Sequence, residues 1–184
     1  MKKSLIFIFL IALSVAIGLG WDWAYEQVEL RRYPLEHTDL VDAYAEEYRV
    51  PREVVYAVIH TESSFRIEAQ SHAGAIGLMQ ITPDTFDWLK LKMGERLDIG
   101  TLYDPNVNIK YGTYFLSMLY SEFNSWEVAL AAYNAGLNRV KNDWILNEEY
   151  ILDGKVIKLP YEETENYVRK VMKGIQIYKK LYGM

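Results

Sequence analysis

The stretch VVYAVIHTESSF, residues 54–65, decides how the fold is read. Its branched apolar residues recur at helical spacing, and Pro51 just ahead of them suits the first turn of a helix. On a wheel of about 100° per residue with Val55 at zero, Val58 falls at about −60°, Ile59 at about 40° and Glu62 at about −20°. The acid therefore lies in the middle of the apolar stripe, while Glu53 and His60, at about 160° and 140°, are expected on a solvated face. A glutamate so placed is either a helix end whose head reaches water or an acid kept half dry. Partial burial favours the neutral carboxylic acid and raises its pKa, which general-acid chemistry near neutral pH requires.

Outward from this stretch the chain reads as a series of helices. Thr38 can cap LVDAYAEEY, Thr82 a helix beginning at Pro83, and Ser125 the run WEVALAAYNA that Gly136 ends. Pro105 opens a helix through YGTYFLSMLYSEF, and YEETENYVRKVMKGIQIYKKLY is a long last helix with lysines toward its C-terminal end. SHAGAIGLMQ, residues 71–80, is a loop with two glycines. One segment breaks the helical pattern: in YILDGKVIKLP, β-branched residues flank Asp153-Gly154, a strong hairpin signal. The expectation is a mainly α domain over residues 38–184 with a small β-hairpin near residues 150–159, preceded by a linker over residues 22–37.

With 184 residues the chain has room for one domain of ordinary size, and 51% hydrophobic and 14% aromatic content argues for a packed core. The first 21 residues differ from the rest: Lys2 and Lys3 precede 17 uncharged residues from Leu5 to Trp21. That pattern is an export signal, read either as a cleaved signal peptide or as a retained N-terminal membrane anchor through residues 5–21, with the lysines left inside. Without cysteine the chain has no disulfide, thiolate metal site or cysteine nucleophile. Setting aside the two lysines leaves 18 basic residues against 25 acidic ones and no basic stripe, so nucleic acid is not an expected partner. His37, His60 and His72 show no metal-ligand spacing, and no metal or cofactor is expected.

Five motifs in order, ESSF (62–65), SHAGAIGLMQITPDT (71–85), YDPNVNIKYGTYFLSML (103–119), ALAAYNAG (129–136) and PYEETENYV (160–168), resemble those of the soluble lytic transglycosylase domain. That family has a lysozyme-like fold and cleaves bacterial peptidoglycan outside the cytoplasm. The resemblance implies that Glu62 is a single catalytic acid, protonating the β-1,4 oxygen between N-acetylmuramic acid and N-acetylglucosamine. As carboxylate it would then take the proton of the muramic acid's own 6-hydroxyl, giving a 1,6-anhydro end. It further implies that Ser71 lies near the acid, that Gln80 faces the sugar groove, and that Tyr133 forms an aromatic wall. Asn134 is read as a hydrogen-bonding or helix-ending residue, and Glu163 and Tyr167, four apart, as presented together by one helix face.

This sequence departs from the family where arginine often follows the Glu-Thr pair, since Glu165 stands there, and where proline often follows Asn-Ala-Gly, since Leu137 stands there. No second acid stands out near Glu62, as the pairs of ordinary glycosidases would require. Two rival readings remain: a hydrolytic muramidase of the same fold, and a noncatalytic wall-binding module.

Overall fold

The computed structural model describes residues 2–184, with side chains in the first helix described at 13, 14, 16–18, 20, 21 and from 23 onward. It divides into two compact units, Met1–Pro34 and Leu35–Met184. The first unit is a helix, α1 (Lys2–Arg32). Residues 22–32, expected as linker, are its last third. No proline or glycine interrupts the sequence from Trp21 to Tyr33, and the alanine, glutamates, glutamine, leucine and arginines of this stretch favour a helix. The reading of residues 5–21 as signal or anchor falls largely on side chains outside the described ones. Among the described residues, no helix is long and apolar enough to cross a membrane.

The second unit is helical. It runs through α2 (Thr38–Tyr48), α3 (Arg52–Ser63), α4 (Pro83–Met93), a 3-10 turn at Ile99–Tyr103, α5 (Pro105–Phe123), α6 (Trp126–Ala135), the single turn α7 (Leu137–Arg139), a π turn at Val140–Trp144, and α8 (Glu162–Tyr182). Local chemistry sets several boundaries. Thr82 accepts from the Thr85 amide ahead of Pro83, Asp104 from the Asn106 amide ahead of Pro105, and Ser125 from the Val128 amide. At α2 the expected cap is displaced by one residue. His37 occupies the N-cap position in a left-handed conformation, its carbonyl accepts from Leu40 and Val41, and Thr38 is the first helical residue.

A two-stranded antiparallel hairpin, β1 (Ile151–Leu152) and β2 (Lys155–Val156), forms where expected. Asp153 and Gly154 both have positive φ, 49° and 73°, the conformation that lets a two-residue turn follow the twist of the strands. The hairpin is tied to the start of α6: the Ser125 hydroxyl donates to the Gly154 carbonyl, and the Val156 amide donates to Glu127 Oε2 over 2.9 Å.

Helix α3 is the centre of the unit, because every residue from Val54 to Ile59 is buried. Burying a Val or Ile side chain contributes roughly 1.5–3 kcal/mol, so the four aliphatic residues of this segment anchor the helix against anything unfavourable it carries. The expectation that Glu53 faces water is wrong. It is 8% exposed and pairs with Lys179 of α8 over 3.4 Å. The wheel finds one apolar stripe, but α8 packs extensively along α3 and covers a second face. The close approach is made at Gly174, where a Cβ would lie 3.2 Å from the Ala57 Cβ. Gly174→Leu is therefore expected to cost about 1–3 kcal/mol by overpacking this crossing, read as a lower urea midpoint with an unchanged slope.

Candidate active site

The last turn of α3 carries Glu62, and the three residues after it fix where that turn stops. Ser63 is buried, and its hydroxyl lies 3.1 Å from the Ile59 carbonyl and 2.8 Å from the Leu78 carbonyl as donor. Ser64 and Phe65 both have positive φ, 50° and 63°, an arrangement that costs about 1 kcal/mol or more per non-glycine residue. Burial of the Phe65 ring beside Tyr56 and His60 offsets that cost.

The loop 70–81 lies against this helix end and is held by side chains from three helices. Isolated bridges pair Gln70 with Ile76 and Ile76 with Ile81. Asn108 of α5 is fully buried; its Oδ1 accepts from the Met79 amide over 2.7 Å, and its Nδ2 donates to Ile76 O and Leu102 O over 2.9 and 2.8 Å. Tyr133 of α6 donates from its hydroxyl to the Met79 carbonyl over 2.7 Å, and Ser63 of α3 holds Leu78. Gly77 is required: φ is +79°, and a Cβ would lie 2.2 Å from Asn108 Nδ2 and 2.5 Å from Leu102 O. Met79 is packing, fully buried against Gly112.

Glu62 is half-buried, and burial raises its pKa from the ordinary 4.5 to about 7, with the Tyr167 hydroxyl pulling weakly the other way. Burial is the larger of these two influences. Tyr167, on α8, is buried and its hydroxyl makes no hydrogen bond of ordinary geometry, although it is close enough to Glu62 to affect it. Tyr133 and Tyr167 both have pKa values pushed well up by burial and by the Glu62 charge, so their hydroxyls stay protonated beside the acid.

The other expected residues divide. Ser71 is exposed and closes the loop, its hydroxyl accepting from the Ala75 amide over 3.0 Å. Gln80, with φ of 48°, donates from Nε2 to Ala69 O and Gly77 O, a loop-holding role. Two adjoining hollows lie at the C-terminal end of α6, sharing Ala135 and Arg139. One, about 440 Å³, is walled by the Trp88, Phe115 and Tyr133 rings; the other, about 510 Å³, contains Asn134, Tyr161 and Glu163. Asn134 and Glu163 are thus brought together in one hollow, whose lining does not include Ser71 or Gln80. Asn108 and Ser63 escaped the reading of the sequence. Asn108 had the signal that singled out Glu62, a polar residue on an apolar helix face beside Ile109, Gly112 and Phe115. Among the described residues, no group of three His, Cys, Asp or Glu side chains could hold a metal.

Residues 39–151 match the transglycosylase SLT domain family. The chain is 32% identical over 157 residues to the soluble lytic murein transglycosylase of Escherichia coli K12, covering 83% of this chain and 24% of that protein. The crystal structure of the 70 kDa soluble lytic transglycosylase of Escherichia coli superposes with a TM-score of 0.77 at 32% identity, over 84% of this chain and 26% of that one. An inactive glutamate-to-glutamine mutant of the Pseudomonas aeruginosa lytic transglycosylase superposes with a TM-score of 0.70 at 30% identity, over 80% and 24% of the two chains. The chain spans about a quarter of the length of these curated relatives. Its fold is the mainly helical, lysozyme-like one expected.

Two outcomes follow from the geometry. Asn108→Ala leaves a buried amide and two buried carbonyls unpaired and is expected to lower stability by about 3 kcal/mol or more, measured by urea unfolding. The native state holds the Glu62 proton more tightly than the unfolded chain, so between pH 4.5 and about 7 its ionisation increasingly destabilises the fold. Glu62→Gln should accordingly raise stability by up to roughly 3 kcal/mol at pH 8, at about 1.4 kcal/mol per pKa unit, and by little at pH 4, as thermal melts at the two pH values will show.

Proposed function

This chain belongs to the transglycosylase SLT domain family, and from that premise we propose that it is a peptidoglycan lytic transglycosylase with Glu62 as its single acid and base. The observation that supports this most is the state of Glu62 itself. A carboxyl group with a pKa of about 7 is still substantially protonated near neutral pH, and it becomes a competent base once it has given its proton away. In the proposed reaction it protonates the oxygen linking C1 of N-acetylmuramic acid to N-acetylglucosamine as that bond breaks. The substrate's N-acetyl carbonyl helps to stabilise the cation at C1. The resulting carboxylate then removes the proton of the same muramic acid's 6-hydroxyl as its oxygen attacks C1. The products are a free 4-hydroxyl and a 1,6-anhydro ring, and Glu62 is protonated again.

The inactivity of the glutamate-to-glutamine mutant of the Pseudomonas aeruginosa relative supports the importance of one glutamate.

The remaining residues take supporting roles in this proposal. Tyr167 presents a protonated hydroxyl beside the acid, suited to a substrate oxygen or to holding the carboxylate. Tyr133 supplies an aromatic wall, 5.2 Å from the Phe115 ring. Asn134 and Glu163 offer hydrogen bonds to sugar or peptide groups, Ser71 retains its hydroxyl proton as a donor, and Gln80 retains Oε1 as an acceptor. The partner is the glycan strand of peptidoglycan, and the site of action is extracytoplasmic. Residues 1–21 deliver the domain there as signal peptide or anchor, and the helix through Arg32 serves as a spacer.

Mass spectrometry of digested peptidoglycan should show muramic ends one water lighter than hydrolysis would leave, and none with Glu62→Gln; reducing ends from the wild type would decide for a muramidase. Because the reactive form is protonated, kcat/KM should fall with rising pH through about 7, following a single ionisation.

A further inference from the structure

The two hollows beside Tyr133 share Ala135 and Arg139, so Arg139 stands where one passes into the other. Its guanidinium is the single cation in either lining, against Asp84 in the first and Glu162 and Glu163 in the second. It is exposed yet fixed in place. One N–H donates to the Ala135 carbonyl over 3.1 Å, and the guanidinium carbon lies 5.3 Å from the centre of the Tyr161 ring. Among the described residues it has no carboxylate partner, although three acids line the same hollows. A guanidinium has five donors in a planar fork that matches a carboxylate, and only one is used inside the protein.

Resting on the proposed function, we infer that Arg139 determines specificity by binding a carboxylate on the lactyl arm of muramic acid. The sugar rings of the strand are uncharged and give such a group nothing to pair with. The arm at O3 of each muramic acid ends in a carboxylate when the strand is bare, and in an amide-linked peptide bearing its own carboxylates when it is not. Both sources offer the same chemistry. A neutral β-1,4 polymer of N-acetylglucosamine offers none of it, so Arg139 separates wall glycan from chitin-like glycan. The neighbouring acids sharpen the choice by disfavouring anions placed anywhere but at the fork.

The test measures binding by calorimetry in the full chain carrying Glu62→Gln, which prevents turnover, with and without Arg139→Gln or Arg139→Lys. The ligands are a bare muramic-containing tetrasaccharide, the same with peptide stems, and chitotetraose. Arg139→Gln is expected to weaken at least one carboxylate-bearing ligand about tenfold, Arg139→Lys less, and chitotetraose not at all. Weakening of the bare strand assigns the lactyl carboxylate, and weakening of the stem-bearing strand alone assigns the stem. Equal weakening of all three ligands, or of none, overturns the inference while leaving the lytic reading intact. Failure of the Arg139-containing protein to bind either muramic ligand overturns the groove reading and this inference with it.

Discussion

The loop 70–81 has almost no regular structure of its own, yet its residues 75–79 are buried, and a buried amide or carbonyl without a partner is costly. That constraint organises the unit. Asn108 satisfies the Met79 amide and the Ile76 carbonyl of the loop, and the Leu102 carbonyl of the 3-10 turn, while Ser63 and Tyr133 satisfy the Leu78 and Met79 carbonyls from other helices. Helices α3, α5 and α6 therefore meet on a strip of main chain as well as in an apolar core. The requirement for glycine at 77 and 112 belongs to the same solution, because Asn108 and Met79 occupy the space where side chains would stand.

Seen energetically, the acid is tolerable because of where it is attached. The change in the pKa of Glu62 corresponds to an ionisation penalty of roughly 3 kcal/mol, about what one or two buried valines contribute. Helix α3 carries four such aliphatic residues in six positions. A shorter or more exposed helix could not hold an uncompensated carboxyl group in the same state. Tyr133 and Tyr167 surround it with hydroxyls that do not themselves ionise, so the site gains polarity without a second charge.

Much of this was legible from local chemistry. Thr82, Ser125 and Asp153-Gly154 announce their own structures because a cap or a type I′ turn involves only neighbouring residues. The position of Glu62 was legible because a helical wheel needs only one helix. What failed required a second element. Glu53 reads as solvated until α8 is laid over it. Asn108, inside a recognisable motif, shows its purpose only when the loop it holds is present. Arg139 and Tyr161 lie 22 positions apart and become one feature only through their contact in the fold.

Ser63 adjoins Glu62 in the chain and is bonded to both the helix and the loop. The acid and the loop beneath it consequently form one mechanical part, without a hinge between them. A force applied to the loop by a bound polymer is transmitted to the acid as displacement instead of being absorbed as local flexing.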